Sequence, residues 1–157
     1  EGELRIRGPH VLLGYLDASL DADAFDGDGW FRSGDLARVD EHGNVVITGR
    51  IKEIIIRRGE NISALEVEQV LLRHPDVADV AVIGLPDERT GERCCAVVVP
   101  VAGSSVTLGA LAAFALDAGL ARQKVPEQLE LIDVLARNAG GKVVKHELRA
   151  RFAKAGS

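Results

Sequence analysis

Apolar and polar positions change their period several times along this chain. Leu4 and Ile6 alternate with Glu3, Arg5 and Arg7, which predicts a half-buried strand broken at Gly8-Pro9. Asp17 to Gly29 is rich in Asp and closes on Asp26-Gly27-Asp28-Gly29, a pattern that predicts a loop. Trp30 to Leu36, Ala37 to Asp40 and Val45 to Thr48 read as short extended segments. The turn at Glu41-His42-Gly43-Asn44 makes the last two a hairpin.

The stretch Gly49–Glu68, GRIKEIIIRRGENISALEVE, marks a change of character. Glu53 to Arg57 is a short β-branched run, hence a strand. Arg58-Gly59-Glu60-Asn61 is then a tight return, with Gly59 and Asn61 the residues that tolerate positive φ. Ser63 precedes Glu66 at capping-box spacing and opens a helix on which Leu65, Val67, Val70, Leu71 and His74 recur before Pro75 ends it.

Beyond it, Val77 to Leu85 and Glu92 to Val99 read as paired strands, and Leu108 to Ala118 as a helix stopped at Gly119. Leu129 to Val134 is a third strand. A loop over Arg137 to Gly141 leads into a closing helix, Lys142 to Ala153, with Val143, Leu148 and Phe152 turned to the core. The fold class is therefore α+β. A small carboxyl-terminal domain is expected over residues 52–157, with a mixed sheet of about three main strands plus a short hairpin, flanked by about three helices. Residues 1–51 hold strands and long loops that make a poor core by themselves. They are expected to be the end of a larger amino-terminal domain, most of which is missing.

Composition narrows the function classes. The chain has 157 residues, 46% of them apolar and 27% charged, as in globular proteins that dissolve in water. No apolar run approaches the roughly 18 residues of a membrane span, and no export signal opens the chain, so a cytoplasmic location is expected. Adjacent Cys94 and Cys95 on a strand would point to opposite faces, which argues against a disulfide or a metal pair. Residues 1–50 hold ten acidic and five basic side chains, which accounts for the net charge of −5. From Arg137 onward six Lys or Arg face Glu147 alone, a basic end that suits a phosphate-bearing partner or simply a solvated helix face. Aromatic residues are only 4%, which disfavours a stacked nucleic-acid partner.

Three places could carry chemistry. Asn138-Ala139-Gly140-Gly141-Lys142 joins a Gly-Gly loop to a lysine at an expected helix start, an arrangement suited to an anion or to an ordinary flexible helix entry. It is not a P-loop, because Val143 stands where Ser or Thr would hold a metal. Asp35, after Ser33-Gly34, could accept two ribose hydroxyls or could be a turn residue. Arg50 could donate to a phosphate or carboxylate, or could be a surface arginine. His10, His42, His74 and His146 lack ligand spacing, so no metal site is expected.

Four segments in order resemble the carboxyl-terminal portion of the AMP-forming acyl-CoA synthetase and adenylate-forming (AMP-dependent synthetase and ligase) superfamily. GELRIRGPHVLLGYL resembles its GEL…G…GY segment, and GWFRSGDL its G-W/Y-F/Y-x-T-G-D-L segment with Ser33 in the usual Thr place. GRIKEIIIRRGENISALEVE resembles the hinge motif, and NAGGKVVKHELR the terminal lysine motif. The resemblance implies a two-step reaction using ATP with Mg2+, a small carboxylic acid and CoA, by way of an acyl adenylate. It implies that Asp35 and Arg50 bind the nucleotide, that Lys142 is catalytic, that Lys52 is the hinge, and that Gly59 borders the CoA pantetheine channel. This chain alone is expected to be inactive.

Three departures stand out: Ala136 where Pro is frequent, Arg58 in place of the first glycine of GGEN, and the absence of the phosphate loop and acyl pocket. The alternatives are an adenylation domain that loads a carrier protein's phosphopantetheine arm, and a non-catalytic binding module of the same fold.

Overall fold

The computed structural model describes residues 1–153. Two compact units follow one another, the first over Glu1–Lys52 and the second from Glu53 onward. Lys154, the last cation of the basic run, lies outside the described residues.

In the first unit β1 (Gly2–Ile6), β2 (Phe31–Val39) and β3 (Val45–Arg50) form an antiparallel sheet in that order. The two short segments expected over residues 30–40 are one continuous strand, β2. Asp17–Gly29, expected as a loop, holds a 3₁₀ turn at Ala18–Leu20 and the one-turn helix α1 (Asp21–Ala24). Its carboxylates serve as local acceptors, which is what shapes the backbone. Asp17 Oδ1 accepts from the Ser19 N–H at 3.0 Å, and Asp26 Oδ1 from the amides of Asp28 and Trp30 at 3.1 and 2.9 Å. Asp40 does the same in the β2–β3 hairpin, accepting from the amides of His42 and Asn44.

The second unit is the α+β body that the pattern predicts. Its sheet runs β5 (Glu60–Ser63), β4 (Ile54–Arg57), β7 (Gly91–Pro100), β6 (Val77–Asp87), and β8 (Gln128–Leu131) lies parallel to β7. Three helices flank it: α2 (Ala64–Leu71), α3 (Leu108–Asp117) and α4 (Lys145–Phe152). Alternation along β7 feeds two cores. Cys94, Ala96 and Val98 join Ile55, Ile62, Val67, Leu71, Leu111 and Ala115 on the α2–α3 side. Cys95 and Val97 join Ile83, Leu85, Leu135, Leu148 and Phe152 on the α4 side. The two cysteines do point to opposite faces. Each fully buried aliphatic side chain contributes about 1.5–3 kcal/mol.

Local chemistry sets the ends of the helices. Ser63 Oγ accepts the Glu66 N–H at 3.3 Å to start α2, and Thr107 Oγ1 accepts the Ala110 N–H at 3.2 Å to start α3. Helix α4 begins at Lys145, three residues later than the pattern predicts, because Arg137 and Val143 form a β-bridge that keeps the intervening residues in a hairpin. Val143, Leu148 and Phe152 nevertheless face the core as expected. The third main strand, β8, stops at Leu131 rather than Val134.

The β4–β5 return is tighter than expected. Arg57 pairs with Glu60, so Arg58 and Gly59 alone make the loop, at φ 50° and 80°. Positive φ at both central residues is the type I′ geometry that fits strand twist. Asn61, expected to share that role, lies inside β5 opposite Ile56. Arg58 is the only non-glycine among the described residues with positive φ, and its N–H donates to Thr90 O at 2.8 Å. Gly59→Ala should destabilise the chain by about 1–2 kcal/mol through its left-handed backbone, whereas Arg58→Gly should raise the urea midpoint. Equilibrium urea denaturation of the three proteins checks both.

Candidate functional site

Asp35 and Arg50 come together in the first unit. They are register partners across β2 and β3, and Arg50 Nε lies 2.6 Å from Asp35 Oδ1. Asp35 is mostly covered, at 21% side-chain exposure, while Arg50 is 40% exposed. Ser33 braces the backbone at Asp35. Its hydroxyl donates to Leu4 O at 2.7 Å and its oxygen accepts the Asp35 N–H at 3.0 Å, which ties the position to β1. The ion pair runs through one carboxylate oxygen, and a carboxylate offers about four lone-pair sites, so hydroxyls can be accepted beside it. Ser33, Gly34, Arg50 and Lys52 line an open cleft of about 390 Å3 together with Glu3 and Asp23.

Lys142 sits in the second unit at the end of a closed loop. Asn138 Oδ1 accepts the N–H groups of Gly140 and Lys142, each at 3.0 Å. The Asn138 N–H donates to Lys142 O, and the Gly141 N–H to Asn138 O, both at 2.9 Å. Gly141 takes φ 77°, which a side chain would strain. Two expectations change here. Lys142 is not at the first turn of a helix, and the loop amides that would make an anion nest are already used by Asn138. What remains is an exposed ammonium on a braced support. Arg137 adds the brace: Nη1 donates to Gly141 O at 2.9 Å and Nη2 to Asp79 Oδ2 at 2.6 Å.

Gly59 occupies the other notable loop of the second unit, in open space with no atom within 4 Å of where a Cβ would stand. The base of that hairpin is held by Arg57, whose Nε and Nη2 lie 2.6 and 2.5 Å from the two oxygens of Glu127. Bidentate geometry of this kind is the strong form of an ion pair.

Sequence reasoning missed Lys145 altogether. Its ammonium lies 2.7 Å from Glu53 and 2.9 Å from Glu68, and the side chain is 11% exposed. The signal was a cation three residues after Lys142, with Glu53 directly after Lys52 and Glu68 closing the EVE triplet. Arg137 and Asn138 were read as loop residues, although both bond to the Lys142 loop.

Cys94 and Cys95 are buried, and burial pushes both thiols up to about 12, which leaves them unreactive as nucleophiles. Among the described residues no three His, Cys, Asp or Glu side chains gather to hold a metal ion. Mg2+ that arrives with ATP is held largely by phosphate oxygens and water, so it does not require such a cluster. No helix among the described residues is long and apolar enough to cross a membrane.

Residues 66–142 match the family model of the AMP-binding enzyme C-terminal domain. The medium-chain fatty-acid–CoA ligase of Escherichia coli (strain K12) is 48% identical over 151 residues, which cover 95% of this chain and 27% of that ligase. The chain belongs to the adenylate-forming ligase family. The salicyl-AMP ligase / salicyl-S-ArCP synthetase of Mycobacterium tuberculosis (strain ATCC 25618 / H37Rv) is 44% identical over 149 residues, 94% of this chain and 26% of that protein. Among solved structures, ATP-bound MatB from Rhodopseudomonas palustris superposes with a TM-score of 0.90 at 35% identity, covering 99% of this chain and 31% of that one. The chain therefore spans about a quarter to a third of the length of these relatives.

The Arg57–Glu127 pair makes stability depend on pH. Hydrogen bonds from Arg57 hold the Glu127 carboxyl below its ordinary value of 4.5. A carboxyl lowered on folding contributes stability above its unfolded pKa and loses it as pH falls through the lowered value. Glu127→Gln should lower the urea midpoint at pH 7 and flatten its decline below pH 4.5. An unchanged acid limb would remove Glu127 as its source.

Proposed function

We propose that this chain is the carboxyl-terminal portion of an ATP-dependent, AMP-forming carboxylate–CoA ligase, with residues 1–51 completing a nucleotide site and residues 52–157 forming a mobile domain that turns at Lys52. The observation that carries the reading is the Asp35–Arg50 pair: a mostly covered carboxylate held by an arginine that lines a cleft, in a chain of the adenylate-forming family. In the first step a substrate carboxylate attacks the α-phosphorus of ATP, and pyrophosphate leaves as the acyl adenylate forms. In the second the CoA thiol attacks the adenylate carbonyl, and AMP leaves as the thioester forms.

Each residue has a distinct task in this reading. Asp35 accepts the ribose hydroxyls, and Arg50 both orients Asp35 and faces the phosphate end with its exposed nitrogens. Lys142 brings a point charge to the carboxylate and α-phosphate, where charge neutralisation rather than proton transfer lowers the barrier. Gly59 borders the channel for the pantetheine arm, where the lack of a side chain permits close approach. Two buried free thiols suit a reducing cytoplasm. The chain alone lacks a phosphate loop and an acyl pocket, so it should not exchange pyrophosphate into ATP.

A second reading keeps the adenylation step and changes the acceptor to the phosphopantetheine arm of a carrier protein. It is supported by similarity to the salicyl-AMP ligase / salicyl-S-ArCP synthetase. Offering preformed acyl adenylate to the full-length enzyme with either CoA or a loaded carrier protein separates the two.

In the full-length enzyme, Lys142→Ala should lower ATP–pyrophosphate exchange by about 10²–10³-fold and leave thioester formation from supplied acyl adenylate within about twofold. Equal loss in both half-reactions would reject the assignment. Lys52→Pro fixes φ and removes an N–H at the proposed pivot. It should spare adenylation and impair thioester formation, and a normal thioester rate would sink the hinge.

A further inference from the structure

Lys145 opens α4 and lies three residues beyond Lys142. Its ammonium is shared between Glu53 Oε2 at 2.7 Å and Glu68 Oε1 at 2.9 Å. Glu68 Oε1 also accepts the Val82 N–H of β6 at 2.7 Å. Glu53 is the first residue of the second unit and is bonded directly to Lys52. One ammonium therefore ties together four parts: the residue after Lys52, helix α2, the open edge of β6 and the start of α4.

A lone cation at a helix amino terminus opposes the macrodipole. Here two carboxylates surround one ammonium, so the cluster carries the sign that this end of the helix favours. Apolar contacts through Leu148 and Phe152 already dock α4 on the sheet. Mostly buried ionic clusters add little net stability compared with apolar side chains of similar size, and their best-attested use is to fix one register. The register at stake is that of the Asn138–Lys142 loop. Arg137 pins its near end to Asp79, and Lys145 pins the chain just past its far end.

Resting on the adenylation role proposed for Lys142, we infer that Lys145 is a positioning residue. With Glu53 and Glu68 it locks the Lys142 loop to the segment that follows Lys52, so that rotation at Lys52 carries Lys142 along as part of one rigid body. Lys145 touches no substrate in this role. The Gly59 hairpin needs no such tie, because β4 continues directly from Glu53.

The two half-reactions test this in the full-length ligase. Lys145→Met should lower kcat for adenylation by about 10–100-fold, the scale on which a displacement of about 1 Å acts, with KM for ATP within about twofold. Thioester formation from supplied acyl adenylate should stay within about twofold. Lys145→Arg should restore most of the adenylation rate, since it can still bridge two carboxylates. Parallel loss in both half-reactions, or undiminished adenylation, overturns the inference. Should Lys145→Met fail to fold, Glu53→Gln keeps the lysine and the volume and must show the same split. Lys142→Ala is the reference in the same assays. A selective loss there without one in Lys145→Met rejects the coupling alone, and no selective loss in Lys142→Ala rejects the role of Lys142 and the coupling with it.

Discussion

Strand β7 has to bury both of its faces, and the second unit is arranged around that constraint. It pairs with β6 along its whole length, and its other edge is shared by β8 and, at Gly91, by β4. A strand so enclosed alternates apolar side chains into two separate cores and needs a helical layer on each. Helices α2 and α3 supply one layer, and α4 supplies the other. The sequence Cys94-Cys95-Ala96-Val97-Val98 is apolar at every position for this reason. A run with one polar face would have left the sheet open on one side, and α4 would have had nothing to dock on.

Both loops of interest depend on that sheet. The Gly59 hairpin hangs from β4, whose last residue, Arg57, pairs with the first residue of β7 and reaches Glu127 just before β8. The Lys142 loop is carried by the chain between Leu135 and Val143, both of which belong to the α4-side core. Two loops on one sheet, one tied to each core, can be exchanged at a site elsewhere by turning the whole unit and deforming neither. That geometry suits the alternation proposed for the two half-reactions, which asks the sheet to stay rigid while the unit turns.

The legible parts of the fold were those decided by local rules. Alternation placed β1, runs of apolar residues placed β6 and β7, Ser63 at capping spacing placed the start of α2, and Gly119 marked the end of α3. The errors have a common cause in long-range or side-chain bonding. Asp17–Gly29 reads as a loop by composition, but its carboxylates bond back to nearby amides and impose turns. Residues 142–144 have helical neighbours in sequence, yet the Arg137–Val143 bridge keeps them out of the helix, and no pattern of period 3.6 can report a bridge six residues back. Asn61 was the better residue for positive φ by intrinsic preference, but Arg58 takes that conformation because the pairing of Arg57 with Glu60 leaves only two residues for the turn. The Asp35–Arg50 pairing could not be read without register, although each residue stood out singly.

The same distinction clarifies the two lysines near α4. Lys142 stood out as a lysine at an expected helix start, but that place belongs to Lys145, which opposes the helix dipole in the first turn and is neutralised there by Glu53 and Glu68. Lys142 lies outside the helix, where no dipole acts along its backbone and where Asn138 has already taken the loop's amides. An anion meeting this loop would find the ammonium and little else. In the role proposed for Lys142, the phosphate would meet that ammonium only while the domain presents the loop. The internal bonds of the loop set its shape, and they account for Asn138 and Arg137 sitting so close to Lys142.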